Sequence, residues 1–179
     1  MFVKMKLPFL SISAVMLLFF TSFIKVKSDR DLPPITHTGE NVMACRINGQ
    51  VIIAAENSSD ISNPAAVKFS AAPDNELIYI AGVFVSPRYD IEISFKYSDS
   101  LGVYPIIDRY PYFGYFWDYT KAISPNDSNQ FQPDKTHTGS VNVIYNDGNI
   151  ISGTFAFDAI NRKGKVVHVT DGRFYIAKH

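Results

Sequence analysis

Residues 149–176 read NIISGTFAFDAINRKGKVVHVTDGRFYI, and the alternation of apolar and polar side chains in this stretch decides the fold class. Ile151, Phe155 and Phe157 differ in position by even numbers, so they fall on one face of an extended chain. Thr154 and Asp158 fall on the opposite face. This pattern is typical of a β-strand with one buried face and one face in water.

Two further strands are predicted after this one. The Asn-Arg-Lys-Gly sequence of residues 161–164 supplies turn formers, including a glycine that tolerates a positive φ. The alternation resumes in residues 166–170, and the Asp-Gly pair at 171–172 is a second turn signal. Phe174 and Ile176 then form the apolar side of a third strand. The C-terminal part of the chain therefore predicts a β-meander.

Length and composition point to one all-β domain with its own core. The chain has 179 residues, which is enough to bury an apolar core without staples. Basic and acidic residues are balanced at 17 each, so no net charge favours binding to nucleic acid. The 14 Phe and 10 Tyr residues favour strands over helices. We expect a single antiparallel β-sandwich or partly closed barrel, built from hairpins and the C-terminal meander.

The N-terminus has the layout of an export signal. Lys4 and Lys6 precede an apolar run at residues 7–24, as in the charged and apolar regions of a signal peptide. The run is also just long enough to cross a bilayer as a helix, so cleavage and retention both stay open. We predict an exported, periplasmic or envelope-associated protein, with membrane contact only through residues 7–24 if they are retained. The predicted parts are a signal peptide or uncleaved membrane anchor (1–28), a tether (29–39) and an all-β domain (40–179).

Two regions in the middle of the chain show strand patterns. Asn48-Gly49 is a strong two-residue hairpin signal that joins a strand containing Cys45 to the strand after it. The cysteine shares a face with apolar neighbours, which predicts a buried side chain rather than a reactive thiol. Residues 77–85 are apolar on both alternating sets, so we expect cover on both faces, whereas residues 89–97 alternate strictly and face water on one side.

Residues 104–119 hold an unusual concentration of aromatic side chains, including Trp117, the only tryptophan. Such rings either fill a β core or form an exposed platform for a glycan or an envelope protein. Pro105, Pro111 and Gly114 argue against a central strand, so we expect the segment at the edge of a sheet or over its end. If the rings form a binding surface, the predicted residues are Tyr110, Tyr112, Tyr115, Trp117 and Tyr119.

The sequence carries no recognisable catalytic motif. It lacks a nucleophile elbow, a His-Glu-x-x-His helix, a phosphate loop and a Cys-x-x-Cys pair. We therefore predict no catalytic residue, no metal site and no cofactor. A pair of carboxylates brought together only by the fold stays open, as in glycosidases. The sequence favours a non-catalytic envelope protein with a binding or structural role. The alternatives are a carbohydrate-binding module and a hydrolase acting on envelope or host polymers.

Several short motifs resemble a domain-of-unknown-function family of small exported Bacteroidetes envelope proteins, many of them lipoproteins. The resemblance implies an exported, envelope-associated all-β domain with no assigned activity, and it supplies no catalytic residues. The chain departs from the lipoprotein members because no cysteine follows its apolar N-terminal run. The motifs that carry the resemblance are Leu32-Pro33-Pro34, Thr38-Gly39, Cys45, Ile47-Asn48-Gly49, Gly102-Val103-Tyr104-Pro105, residues 150–157 (IISGTFAF) and Thr170-Asp171-Gly172-Arg173-Phe174.

Overall fold

The structure is a computed structural model that describes residues 31–55, 67–71, 77–84, 88–96, 101–120 and 129–177. Within these ranges the chain forms strands and no helix, and the predicted signal or anchor at 1–28 lies outside them. The strands are β1 (Val42–Ile47), β2 (Gln50–Ala55), β3 (Val67–Ala71), β4 (Leu77–Phe84), β5 (Tyr89–Lys96), β6 (Gly102–Ile106), β7 (Phe113–Asp118), β8 (Gln130–Phe131), β9 (Gly139–Asn146), β10 (Ile150–Ile160) and β11 (Val166–Ala177).

The strands form two antiparallel sheets that pack as a sandwich, which confirms the predicted all-β class. Sheet A has the order β2-β1-β11-β10-β9-β6, and sheet B has the order β3-β4-β5-β7-β8. The inward faces of both sheets supply the core, because alternate residues of each strand point to it. Its largest fully buried side chains are Phe84, Phe95, Phe174, Met43, Ile78, Ile80, Ile91, Ile93, Ile106, Ile151 and Ile176.

The first predicted hairpin is present, and so is a C-terminal meander, although its strands are β9, β10 and β11 rather than the three predicted within residues 149–176. β1 and β2 pair with Val42 opposite Ala55, and the turn residues Asn48 and Gly49 have φ values of 48° and 85°. Positive φ at both central positions gives the turn a twist that matches the flanking strands, which is why Asn-Gly is favoured there. β9, β10 and β11 lie side by side in chain order, as a meander requires.

The predicted break at residues 171–172 is wrong, since β11 runs without a turn through these positions. Val169 is buried before them and Phe174 after them, so the buried side changes from odd to even positions. A β-bulge absorbs this change: the register shifts on both sides of β11, and Asp171 has a φ of 53°. One extra residue in the strand therefore produced the same sequence pattern as a turn.

Among the described residues β4 is fully buried on one face only, whereas cover on both faces was predicted for residues 77–85. Ile78, Ile80 and Phe84 face the core and are buried, while the alternate residues are half-buried on the outer side of sheet B. The outer set is Leu77, Tyr79, Ala81 and Val83, so the sequence is apolar on both sets although only one set enters the core. β5 alternates as predicted, except that Ser94 is also buried.

Residues 31–41 lie across the outer face of sheet A, and we call them the N-terminal strap. The Arg173 side chain donates a hydrogen bond from Nη1 to the Pro33 carbonyl at 2.8 Å. His37 Nδ1 lies 3.1 Å from the hydroxyl of Ser152, which is fully buried although it points away from the core. The strap thus covers part of sheet A, and a tether role for residues 29–39 stays a prediction.

Candidate functional site: the aromatic face of sheet B

β7 divides its aromatic side chains between the core and the outer surface. Phe116 points inward, where it is buried and its ring lies 5.0 Å from that of Tyr89 and 5.5 Å from that of Phe131. Gly114 also points inward, against Ile106 and Phe157, and a side chain there would meet Ile106 at 2.7 Å. The residues between them point outward. The two interpretations of the aromatic segment, core packing and platform, therefore describe alternate residues of one strand.

The outward residues of β7 include two of the predicted binding residues, Tyr115 and Trp117. Both are half-buried on the outer side of sheet B. Tyr119 follows the end of the strand, and its amide donates to the Arg88 carbonyl at 3.0 Å. Its ring lies parallel to that of Trp117, with an interplanar angle of 6° and centroids 6.0 Å apart. Three of the five predicted residues thus share one surface.

The other two predicted residues stand apart from this surface. Tyr112 packs against the core, and Tyr110 is 76% exposed in the tight turn between β6 and β7. The Tyr110-Pro111 peptide bond is cis, and the Tyr112 amide closes the turn on the Arg109 carbonyl at 2.6 Å. The segment also does not lie wholly at an edge as predicted. β6 is an edge strand, but β7 is bonded to β5 on one side and to the two-residue β8 on the other.

Sequence reasoning missed the carboxylates beside these rings. Asp90 lies opposite Trp117 and Glu92 lies opposite Tyr115 in the β5–β7 pairing. The Tyr119 hydroxyl donates a hydrogen bond to the Asp90 carboxylate. Strict alternation in residues 89–97 already placed both acids on a polar face, but the pairing of β5 with β7 is not readable from either strand alone.

Tyr79, on β4, is a third tyrosine of this surface and completes it. The Tyr79 hydroxyl donates a hydrogen bond to the Glu92 carboxylate, so each acid of β5 accepts from a tyrosine. We define the aromatic face as the outer surface of sheet B formed by Tyr79, Asp90, Glu92, Tyr115, Trp117 and Tyr119.

Burial and the neighbouring carboxylates raise the pKa of two tyrosines of the aromatic face, Tyr79 and Tyr119. Burial first, and then the charge of Glu92, raise the pKa of Tyr79. Burial and the Asp90 charge likewise raise the pKa of Tyr119. The pKa of Asp90 is itself raised, chiefly by burial and then by repulsion from Glu92, although Arg88 and the Tyr119 hydrogen bond oppose the shift. The face therefore combines aromatic rings with carboxylates whose remaining oxygen lone pairs can accept hydrogen bonds from a ligand.

The histidines and the cysteine add no further constellation to this face. Cys45 is fully buried, as predicted, and burial raises the pKa of its thiol, so the reactive thiolate is disfavoured. His168 is exposed on sheet A and pairs with Asp158 at 2.8 Å. Across the described ranges, no three His, Cys, Asp or Glu side chains are grouped as metal ligands. The same ranges contain no helix with the length and apolar character needed to span a bilayer.

Comparison with known proteins leaves this face as the main guide to function. No protein-family model, curated protein or solved structure matches the chain. The resemblance to exported Bacteroidetes proteins stays a prediction.

Proposed function

We propose that the protein is a non-catalytic component of the cell envelope that binds glycans through the aromatic face. The observation that carries the proposal is the combination of four outward aromatic side chains, those of Tyr79, Tyr115, Trp117 and Tyr119, with two carboxylates on β5. Trp117 and Tyr119 lie parallel, and Asp90 and Glu92 lie directly across from Trp117 and Tyr115. Aromatic rings stack on the apolar faces of sugars, while carboxylates and phenols bond to their hydroxyl groups.

The rigidity of the face supports binding over simple packing. Tyr79 and Tyr119 are each held by a hydrogen bond to a carboxylate, and the Arg88 guanidinium lies 5.8 Å from the centre of the Tyr119 ring. Side chains fixed in this way lose little freedom when a ligand binds, which lowers the entropic cost of binding. Since the rings are half-buried on a sheet, a ligand would bind along the strands rather than enter a deep cavity.

The binding test compares Trp117→Ala with Tyr110→Ala in the full-length protein. Screening on an array of envelope and host glycans identifies a ligand, and calorimetry then measures its affinity. Loss of a central aromatic anchor costs about 2 kcal/mol or more, so Trp117→Ala should weaken binding about 30-fold. Tyr110→Ala removes a more exposed tyrosine outside the face and should leave affinity unchanged. Equal affinity of both variants and the wild type would refute the proposal.

A hydrolase is the second candidate, and the pair Asp90 and Glu92 favours it. The two residues are two positions apart in sequence and share one strand face, so their Cα atoms are about 7 Å apart. The raised pKa of Asp90 is what a general acid requires. Incubation with each glycan that binds, followed by an assay for new reducing ends, decides between the candidates. Hydrolysis that Glu92→Gln abolishes would replace the binding role with an enzymatic one.

We also propose that the protein is exported, on the basis of Lys4, Lys6 and the apolar run at residues 7–24. Fractionation followed by N-terminal sequencing separates a cleaved signal from a retained anchor. Recovery of the intact protein in the cytosol would contradict both forms of export.

A further inference from the structure

A shallow pocket of about 340 Å³ lies on the outer face of sheet A, on the opposite side of the sandwich from the aromatic face. It spans β9, β10 and β11 where β11 carries its bulge. Most of its side chains are small or polar, which leaves space above the sheet. The lining residues are Ser140, Asn142, Thr154, Phe155, Ala156, Asp171, Gly172 and Arg173.

The bulge shapes this pocket. A side chain at Gly172 would meet the Phe155 carbonyl oxygen at 2.5 Å, so the backbones of β10 and β11 are in close contact at the pocket floor. Asp171 has a left-handed backbone conformation, so its side chain leaves the strand in a different direction from that of a regular strand residue. Its carboxylate lies 3.2 Å from Arg46 Nε, and this ion pair occupies one side of the bulge.

The second arginine of this region has no matching carboxylate. Arg173 lines the pocket, and no carboxylate of the described ranges lies within ion-pair distance of its guanidinium. Glu40, in the strap, is exposed, and it and Arg173 act with opposite sign on the pKa of the same phenol, that of Tyr175, without forming an ion pair with each other. Asp171 also lines the pocket but is already paired with Arg46, so among the described residues Arg173 is a lining cation without an ion-pair partner.

The hydrogen bonds of Arg173 are also incomplete. One N–H donates to the Pro33 carbonyl, while Nε is buried and has no partner among the described residues. A guanidinium has five N–H donors, and leaving a buried one unmatched costs free energy. Holding the strap accounts for one donor only. The side-chain amide of Asn142 and the hydroxyls of Ser140 and Thr154 are further donors in the same pocket.

We propose that this pocket binds a small oxyanion, a carboxylate or a phosphate group, with Arg173 as the charged partner. Guanidinium binds both groups through charge-assisted hydrogen bonds, and Asn142 and Thr154 would add neutral ones. A bound anion would also give the Arg173 guanidinium a directly bonded countercharge. The inference does not depend on glycan binding, since the two surfaces lie on opposite sides of the sandwich.

Titration of the full-length protein, followed by NMR of backbone amides, tests the proposal. Inorganic phosphate and acetate are added in separate arms at constant ionic strength, with chloride as the balancing anion. We expect saturable shifts at Asn142, Thr154 and Arg173, and the arm with the lower dissociation constant identifies the preferred group. Absence of saturable shifts at these positions with both anions would overturn the proposal.

Three variants separate a binding role from a structural one. Arg173→Gln should weaken binding at least tenfold, as expected for a charged partner. Because this change also removes the bond to the strap, Thr154→Val provides an independent test that leaves that bond intact. It should weaken binding roughly threefold to tenfold through loss of one neutral hydrogen bond. Arg162→Gln, in the exposed turn after β10, is the control and should bind like the wild type. Unchanged affinity in both pocket variants would also overturn the proposal.

Discussion

Substitutions at Asp171 test the β-bulge in β11, at the position where the sequence pattern predicted a turn. Asp171 has a φ of 53°, a region that aspartate and asparagine tolerate but that costs other L-residues about 1–2 kcal/mol. Its ion pair with Arg46 is largely exposed on the aspartate side, at 58%, and stabilises the fold by about 1 kcal/mol at most. Asp171→Asn should therefore cost about 1 kcal/mol or less. Asp171→Val loses the ion pair and adds backbone strain, for a total of about 1–3 kcal/mol.

Urea unfolding followed by tryptophan fluorescence measures these differences. Asp171→Gly is the matched control, because it removes the same ion pair but accepts the left-handed conformation. The expected order of stability places the asparagine and glycine variants together and the valine variant clearly below them. If valine is as stable as asparagine at this position, the strand does not adopt the left-handed bulge, and our account of β11 is wrong.

Three further predictions concern the core, an exposed loop and the cysteine. Phe116→Ala should destabilise the fold by about 3–5 kcal/mol because it opens a cavity in the core. Trp117→Ala, on the opposite face of β7, should cost clearly less. Equal losses of stability in urea unfolding would contradict the assignment of Phe116 to the core and Trp117 to the outer surface. Hydrogen bonds from the backbone amides of Thr136 and His137 hold the pKa of Asp134 below its usual range. The stabilisation that the Asp134 carboxylate gives the fold is therefore complete above its unfolded pKa and is lost as pH falls through its folded pKa. In acid-unfolding curves, the difference in stability between the wild type and Asp134→Ala should therefore shrink as the pH is lowered. Cys45 should resist a thiol reagent in the native protein and react once urea unfolds it, and rapid native labelling would show that it is accessible.

The sequence predicts the local features of this fold better than the relations between strands. The Asn48-Gly49 hairpin and the alternation in residues 149–160 are encoded by neighbouring residues, and both are present. Asp171 shows the limit, because a change of buried side along the chain is produced equally by a turn and by one extra residue in a strand. The choice depends on whether the partners β1 and β10 continue alongside, which is a long-range property.

The candidate site shows the same division. Tyr115 and Trp117 were identified because aromatic residues are dense in that segment, but density does not tell which rings face inward. Alternation from the buried Phe116 decides this once the strand position is known. Asp90 and Glu92 were seen as polar residues of a distant strand, and only sheet pairing brings them beside the rings. Contacts across strands that are far apart in sequence carry no local signal.

The N-terminal strap also determines how far the domain can reach from whatever holds its N-terminus. Side-chain bonds from Arg173 and His37 fix the strap, rather than a continuous backbone ladder, so it should detach at lower force than any paired strand. Amide hydrogen exchange in residues 35–41 measures how often this happens, and protection equal to that of the sheet would contradict it. If the N-terminal segment holds the protein at a membrane, release of residues 31–41 adds up to roughly 35 Å of extended chain. Docking and release of the strap would then switch the domain between a position close to the membrane and one farther from it.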